Sequence, residues 1–107
     1  MQEIFGVNTH IQEVTDLFAE HGYLTIAPSL FDRVESNVQL GYDENGVTKG
    51  RKLKELCDID ALKDIDSAIS VVASAGKVGV IGYCWGGSLS WRTACENSKI
   101  SACITYY

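Results

Sequence analysis

The 107-residue sequence has no long apolar run, no cluster of basic residues and no cysteine pair at CxxC spacing. A membrane-spanning helix needs about 20 mostly apolar residues, and no segment approaches that length. The first six residues lack the basic and extended apolar regions of a secretory signal peptide. Nucleic-acid binding requires clustered Lys and Arg, whereas the formal net charge is -5. The sequence therefore argues against a membrane protein and against a nucleic-acid partner.

The four cysteines show no spacing typical of a zinc site or of a redox pair. A disulfide framework is typical of small secreted chains that cannot build a core, and 46% of this chain is hydrophobic. We therefore expect free thiols in a reducing cytoplasm and no bound metal. Three of the cysteines are expected to act as small core residues: Cys57, Cys95 and Cys103.

In the first half of the chain, helix and strand signals alternate, which favours an α/β fold with a parallel sheet. Thr9–Gln12 fits a capping box with Thr at the cap, and Gly22 marks the end of that helix. The apolar run Tyr23–Ala27 predicts a short buried strand. Residues 29–56 are more polar and predict a long excursion with at most one short helix.

In the second half, the pattern becomes regular again. A helix is predicted to start at Asp58 or Asp60 and to end at Gly76, because apolar residues recur there at helical spacing. Residues 77–82 predict a buried strand, followed by a helix over residues 87–96 and a strand from residue 100 to residue 107.

The most informative segment is Gly82-Tyr83-Cys84-Trp85-Gly86-Gly87, which lies between a predicted strand and a predicted helix. It has the pattern of a nucleophile elbow with Cys in place of Ser. Small flanking residues allow the strained turn, and the next backbone N–H, that of Trp85, would face a developing oxyanion. The alternative is an inert cysteine in the Gly-rich turn of a nucleotide-binding fold, but these glycines do not match GxGxxG.

Several separated motifs, in the right order, make the chain resemble the dienelactone hydrolase family, and the resemblance covers essentially its whole length. The matching segments are Gln2–Asn8, Gly22-Tyr23 with Ala27–Phe31, Gly76–Gly79 leading into Gly82–Gly87, and the paired Tyr106-Tyr107. One departure is Ser29, where the family usually has Asp. We expect this departure to affect the loop locally without changing the chemistry.

The resemblance implies roles for individual residues. Cys84 matches the family's nucleophile, and Glu3 matches a glutamate that contacts the resting thiol and helps to deprotonate it. The backbone N–H groups of Ile4 and Trp85 match the two oxyanion donors. Arg51 is the candidate for an arginine that binds the substrate carboxylate, for which a planar guanidinium is suited. Without the resemblance, Glu3 and Arg51 would be interpreted as solvated surface charges.

The two histidines, His10 and His21, both precede Cys84. In the α/β-hydrolase fold the nucleophile, the acid and the histidine follow one another in that order, so neither is expected to be the catalytic base. We expect residues 1–107 to be the central fragment of one longer domain. That domain would be a three-layer αβα sandwich with a mostly parallel sheet, truncated here at both ends and inactive as a fragment.

Two functions remain open at this point. The first is a cytoplasmic ester or lactone hydrolase that acts on a small molecule through Cys84 and an acyl-enzyme. For this hydrolase we expect no cofactor and, at full length, a monomer. The alternative is a non-catalytic α/β module that binds a ligand or a partner and carries Cys84 as an inert thiol. Thiol reactivity separates the two, because an activated cysteine is alkylated quickly near neutral pH.

Overall fold

The computed structural model describes all residues 1–107, which form three α-helices and two strands. The elements are α1 (Thr9–Glu20), α2 (Glu44–Val72), β1 (Val78–Tyr83), α3 (Trp85–Glu96) and β2 (Ile100–Tyr106). A short 3₁₀ turn extends the end of α2. The predicted α/β class is therefore confirmed.

The two strands pair in parallel, as predicted. Val80 lies opposite Cys103 and Gly82 lies opposite Thr105. Parallel neighbours need a crossover connection, and α3 supplies it while packing on both strands. The strand–helix–strand unit therefore fixes the carboxyl end of β1 against the amino end of α3.

The hydrophobic core lies between α2, β1 and α3. Along α2 the buried positions recur mostly every three or four residues and form one stripe along the helix. The stripe packs against Leu30, Phe31, Trp85 and Leu89, all of which are buried. Each large side chain buried in this way stabilises the fold by about 1.5–3 kcal/mol. Although α2 has 29 residues, no helix is both long enough and apolar enough to span a bilayer.

The start of α1 lies one residue earlier than the capping-box prediction. Asn8 is the cap, because its side-chain Oδ1 accepts the N–H of Ile11 at 3.2 Å. Asn is at least as good an N-cap as Thr, so the capping-box pattern selected the wrong member of an adjacent pair. The end of the helix is as predicted, with Gly22 at φ +89°.

The predicted start of the second helix at Asp58 or Asp60 is wrong. α2 begins at Glu44, and its cap is Asp43, whose Oδ1 accepts the N–H of Gly46 at 2.8 Å. Residues 44–56, the second part of the excursion predicted over residues 29–56, are therefore helical.

Glycine conceals this early part of α2 in the sequence. Gly50 is buried in the helix, and a Cβ there would collide with the carbonyl of Ile4. The glycine thus permits a close approach of two backbones and does not end the helix. This contact places the second turn of α2 against the segment that carries Glu3.

The predicted strand at Tyr23–Ala27 is also wrong. The segment forms no ladder, and Tyr23, Leu24 and Ile26 are 63%, 55% and 44% exposed. An apolar run becomes a strand only where a neighbouring backbone offers hydrogen bonds, and none lies beside this one. The segment instead forms a wall of an apolar trough of about 410 Å³, which is also lined by α1, α2 and β1.

Candidate active site

Cys84 lies between the last residue of β1 and the first residue of α3, with φ +54° and ψ -116°. A non-glycine residue at positive φ is sterically crowded, and such strain costs about 1–3 kcal/mol. Hydrogen bonds hold the turn on both sides: the N–H of Cys84 donates to the carbonyl of Tyr106 at 2.9 Å, and its carbonyl accepts from Ser88 at 3.2 Å. The half-buried free thiol therefore projects from a rigid turn.

The amino-terminal segment lies directly against this turn. Gly86 is buried, and a Cβ there would collide with the carbonyl of Gln2. Gln2 is itself fully buried: its Oε1 accepts the N–H of Leu30 at 3.0 Å, and its Nε2 donates to the carbonyl of Glu3 at 3.2 Å. Gln2 was not among the residues predicted for the site, although an amide directly before Glu3 in a matching motif was a usable signal.

Glu3 is only 6% exposed, so it is not a solvated surface charge. The hydroxyl of Tyr107 donates to its Oε1 at 2.9 Å. Its Oε2 has one long contact, 3.5 Å from the hydroxyl of Tyr42, which accepts from Asn8 at 3.1 Å. A buried carboxylate needs such partners, and no Lys, Arg or His forms an ion pair with Glu3.

The pKa of the Tyr107 hydroxyl is changed by the charged groups around it. Its pKa is raised to about 12, first because its hydroxyl donates to Glu3, and then by desolvation and by the charges of Glu3, Cys84 and Tyr42. The phenol of Tyr107 therefore lies within electrostatic reach of both Glu3 and Cys84.

Two backbone donors at the site have no acceptor within the chain. Ile4 lies outside every helix and strand, and its N–H makes no hydrogen bond. The N–H of Trp85 is at the first position of α3, where a helix offers it no carbonyl, and it donates to no other group. Backbone donors without an acceptor can stabilise a negatively charged oxygen.

The aromatic side chains of the motif are part of the packing. The indole of Trp85 is 4% exposed and stacks on Phe31 with ring centroids 5.5 Å apart. The ring of Tyr83 stacks on that of Tyr106, with centroids 5.0 Å apart. The ring of His10 packs edge-on against Tyr83, with centroids 5.5 Å apart. The structure thus assigns the side chain of Trp85 to the core.

Arg51 is exposed on α2 and makes no ion pair. It follows Gly50, the residue that packs on Ile4. By contrast, Arg33 is held by Asp64 at 2.7 Å. Arg51 is therefore a cation without an ion-pair partner, and its role in substrate binding stays a prediction.

The remaining candidates are separate from the thiol. His21 is exposed and contacts the carbonyl of Leu17 at 2.8 Å, so it belongs to the end of α1. No group of three or more His, Cys, Asp or Glu side chains could hold a metal ion. Among the other cysteines, Cys57 is buried as predicted and Cys103 is half-buried, whereas Cys95 is exposed and the core prediction for it is wrong.

The fold and the site define an α/β protein whose candidate centre is a cysteine in a strained strand–helix turn. The chain belongs to the dienelactone hydrolase family, since the model of that family matches residues 1–107. The resemblance inferred from the sequence motifs is confirmed.

Curated relatives match over the full chain. A protein provisionally named carboxymethylenebutenolidase from Synechocystis sp. is 39% identical over 113 residues, which cover 100% of this chain and 46% of that protein. The carboxymethylenebutenolidase of Pseudomonas putida is 33% identical over 112 residues, which cover 99% of this chain and 47% of that protein. The chain thus spans less than half the length of these relatives.

Proposed function

We propose that this chain carries the nucleophile, the proton acceptor and the oxyanion donors of an ester or lactone hydrolase of the dienelactone hydrolase type. The observation that supports this most strongly is Cys84 at φ +54° between a strand and a helix. Function is the natural reason for a protein to keep such strain at a cysteine. The name carboxymethylenebutenolidase of the relatives supports a small ester- or lactone-like substrate.

In the proposed reaction, the thiol proton of Cys84 passes to the Glu3 carboxylate, and the sulfur attacks the substrate carbonyl carbon. Oε2 of Glu3 is the oxygen available for this proton, because its only contact is the long one from Tyr42. The carbonyl oxygen becomes an anion and accepts hydrogen bonds from the N–H groups of Ile4 and Trp85.

Collapse of this intermediate breaks the carbon–oxygen bond of the ester, and the leaving alkoxide takes the proton. Water then adds its hydroxyl to the acyl carbon and returns a proton to the sulfur of Cys84. No cofactor or metal takes part in these steps. Arg51 is the candidate that pairs with a carboxylate elsewhere on the substrate.

The proposal includes a complete three-layer α/β-hydrolase domain of which residues 1–107 are the central part. The triad acid and histidine lie elsewhere in that domain, and the fragment alone is inactive. In support, His21 contacts the end of α1 and His10 packs on Tyr83, so neither is hydrogen-bonded to Cys84. The four free thiols fit a reducing cytoplasmic location, and a monomer is the proposed state.

Site-resolved alkylation of the full-length protein with iodoacetamide tests the proposed nucleophile. Cys95 is the internal control, because it is exposed whereas Cys84 is half-buried. An activated Cys84 reacts faster than Cys95 near neutral pH despite its lower exposure. If Cys84 reacts more slowly than Cys95, the non-catalytic binding module is the better interpretation.

A further inference from the structure

The carboxylate of Asp58 connects α2 to two successive parts of α3. Its Oδ1 accepts the indole Nε1–H of Trp85 at 2.7 Å, and its Oδ2 accepts from Arg92 at 3.2 Å. Trp85 and Arg92 are seven residues apart on α3 and therefore lie on one helical face. We propose that Asp58 is a positioning residue that fixes the Trp85 backbone N–H beside Cys84. This proposal rests on the proposed function.

The indole of Trp85 is restrained in two ways. Trp85 is 4% exposed and stacks on Phe31 with an angle of 13° between the rings. A buried indole N–H needs an acceptor, and Asp58 is the acceptor it has. The ring is thus held both on its face and at its nitrogen, so the residue has one orientation.

The orientation of Trp85 affects the turn that carries the nucleophile, because Trp85 directly follows Cys84, the residue with positive φ. A rotation of the Trp85 side chain would alter the backbone of the turn, and with it the direction of the Trp85 N–H. Small misplacements of a group that stabilises the transition state have large effects on rate. The hydrogen bond from the indole to α2 therefore restrains a donor that the reaction uses.

Asp58 contributes more to the orientation of Trp85 than to the free energy of unfolding. The side chains of Arg92 and Asp58 are 40% and 41% exposed, and ion pairs this exposed to solvent contribute little to folding. The indole hydrogen bond is charge-assisted and short, so it restrains direction more strongly than a neutral one. The two effects can be separated by experiment.

The experiment compares two reactions of Cys84 in the full-length protein. Acylation by an activated ester passes through an oxyanion, whereas alkylation by iodoacetamide displaces iodide at carbon and forms none. Asp58→Ala is expected to lower the acylation rate about tenfold with little change in KM, and to leave the alkylation rate of Cys84 unchanged. Trp85→Phe retains the stacked ring without the donor and is expected to have the same effect.

The matched control is Asp60→Asn. Asp60 lies on the same helix and pairs only with Lys63, at 2.7 Å, so both rates should match those of the wild type. The double variant Asp58→Ala/Trp85→Phe should be no slower than either single variant, because both remove the same hydrogen bond.

Three results overturn the proposal. The first is an unchanged acylation rate in folded Asp58→Ala and Trp85→Phe proteins. The second is an equal loss in acylation and alkylation, which would show a general disturbance of the turn. The third is a double variant with additive losses. Absence of acylation in the wild type would contradict the proposed function itself. If Asp58→Ala fails to fold, Trp85→Phe alone provides the same comparison, because it removes the donor of the same hydrogen bond.

Discussion

The turn at Cys84 and the segment Tyr23–Pro28 both border β1, and both combine apolar and small residues, yet they differ in how they are held. The turn is fixed by backbone hydrogen bonds from Cys84 to Tyr106 and from Ser88 to Cys84. The backbone of residues 24–28 makes no backbone hydrogen bond, and its apolar side chains are partly exposed along the trough. Apolarity alone therefore does not order a segment; partners for its backbone groups do.

The largest effect of a substitution in the turn is expected on enzymatic activity. Cys84→Ala in the full-length protein is expected to lower ester or lactone hydrolysis by about 10³-fold or more, because the nucleophile is removed. Cys95→Ala is the control and should retain most of the activity, since Cys95 is exposed and lies near the opposite end of α3 from the turn. Retained hydrolysis in the Cys84 variant, measured on protein shown to be folded, would contradict the proposed mechanism.

A second test addresses the carboxylate. Glu3→Gln is expected to slow acylation about 100-fold, because an amide cannot take the thiol proton. The pKa of Tyr107, raised to about 12, should fall towards its ordinary value of 10.0 once the carboxylate is gone. Stopped-flow acylation and ultraviolet titration of the phenol measure the two effects.

The sign of the accompanying pH dependence follows from the raised pKa. The hydrogen bond from Tyr107 to Glu3 contributes its full stability below pH 10.0 and loses it as the pH rises through about 12. This loss should be absent from Glu3→Gln. An unchanged Tyr107 titration would mean that the carboxylate does not control the phenol.

A third test compares stability in the two regions directly. Gly86→Ala should destabilise the protein by about 3 kcal/mol, because the added Cβ collides with the carbonyl of Gln2. Leu24→Ala, on the trough wall, should change the stability by less than about 0.5 kcal/mol, because Leu24 is 55% exposed. Denaturant unfolding gives both values, and similar losses would remove the distinction between the regions.

The smallest effect is expected at the strained residue. Cys84→Gly should be more stable than Cys84→Ala by about 1 kcal/mol, because glycine adopts φ +54° without steric crowding. Both variants lack the thiol, so the comparison isolates the backbone strain. If Cys84→Gly is the less stable of the two in thermal unfolding, the turn does not store strain at this position.

The sequence alone was sufficient where the signals are local. Strand β1, the turn at Cys84, helix α3 and strand β2 follow one another with short connections, so each predicts the next. The sequence was not sufficient where contacts between distant residues determine the secondary structure. Gly46 and Gly50 resemble helix breakers until the backbones that approach them are known, and the start of α2 was missed for that reason.

By itself, then, the sequence determined the α/β class, the family and the cysteine at the centre of the candidate site. The tertiary structure decided which groups surround that cysteine. It buried Glu3 beside two tyrosine hydroxyls, left the N–H groups of Ile4 and Trp85 without acceptors, and linked Trp85 to Asp58. Motifs record local backbone requirements, whereas burial and hydrogen-bond partners depend on residues that are distant along the chain.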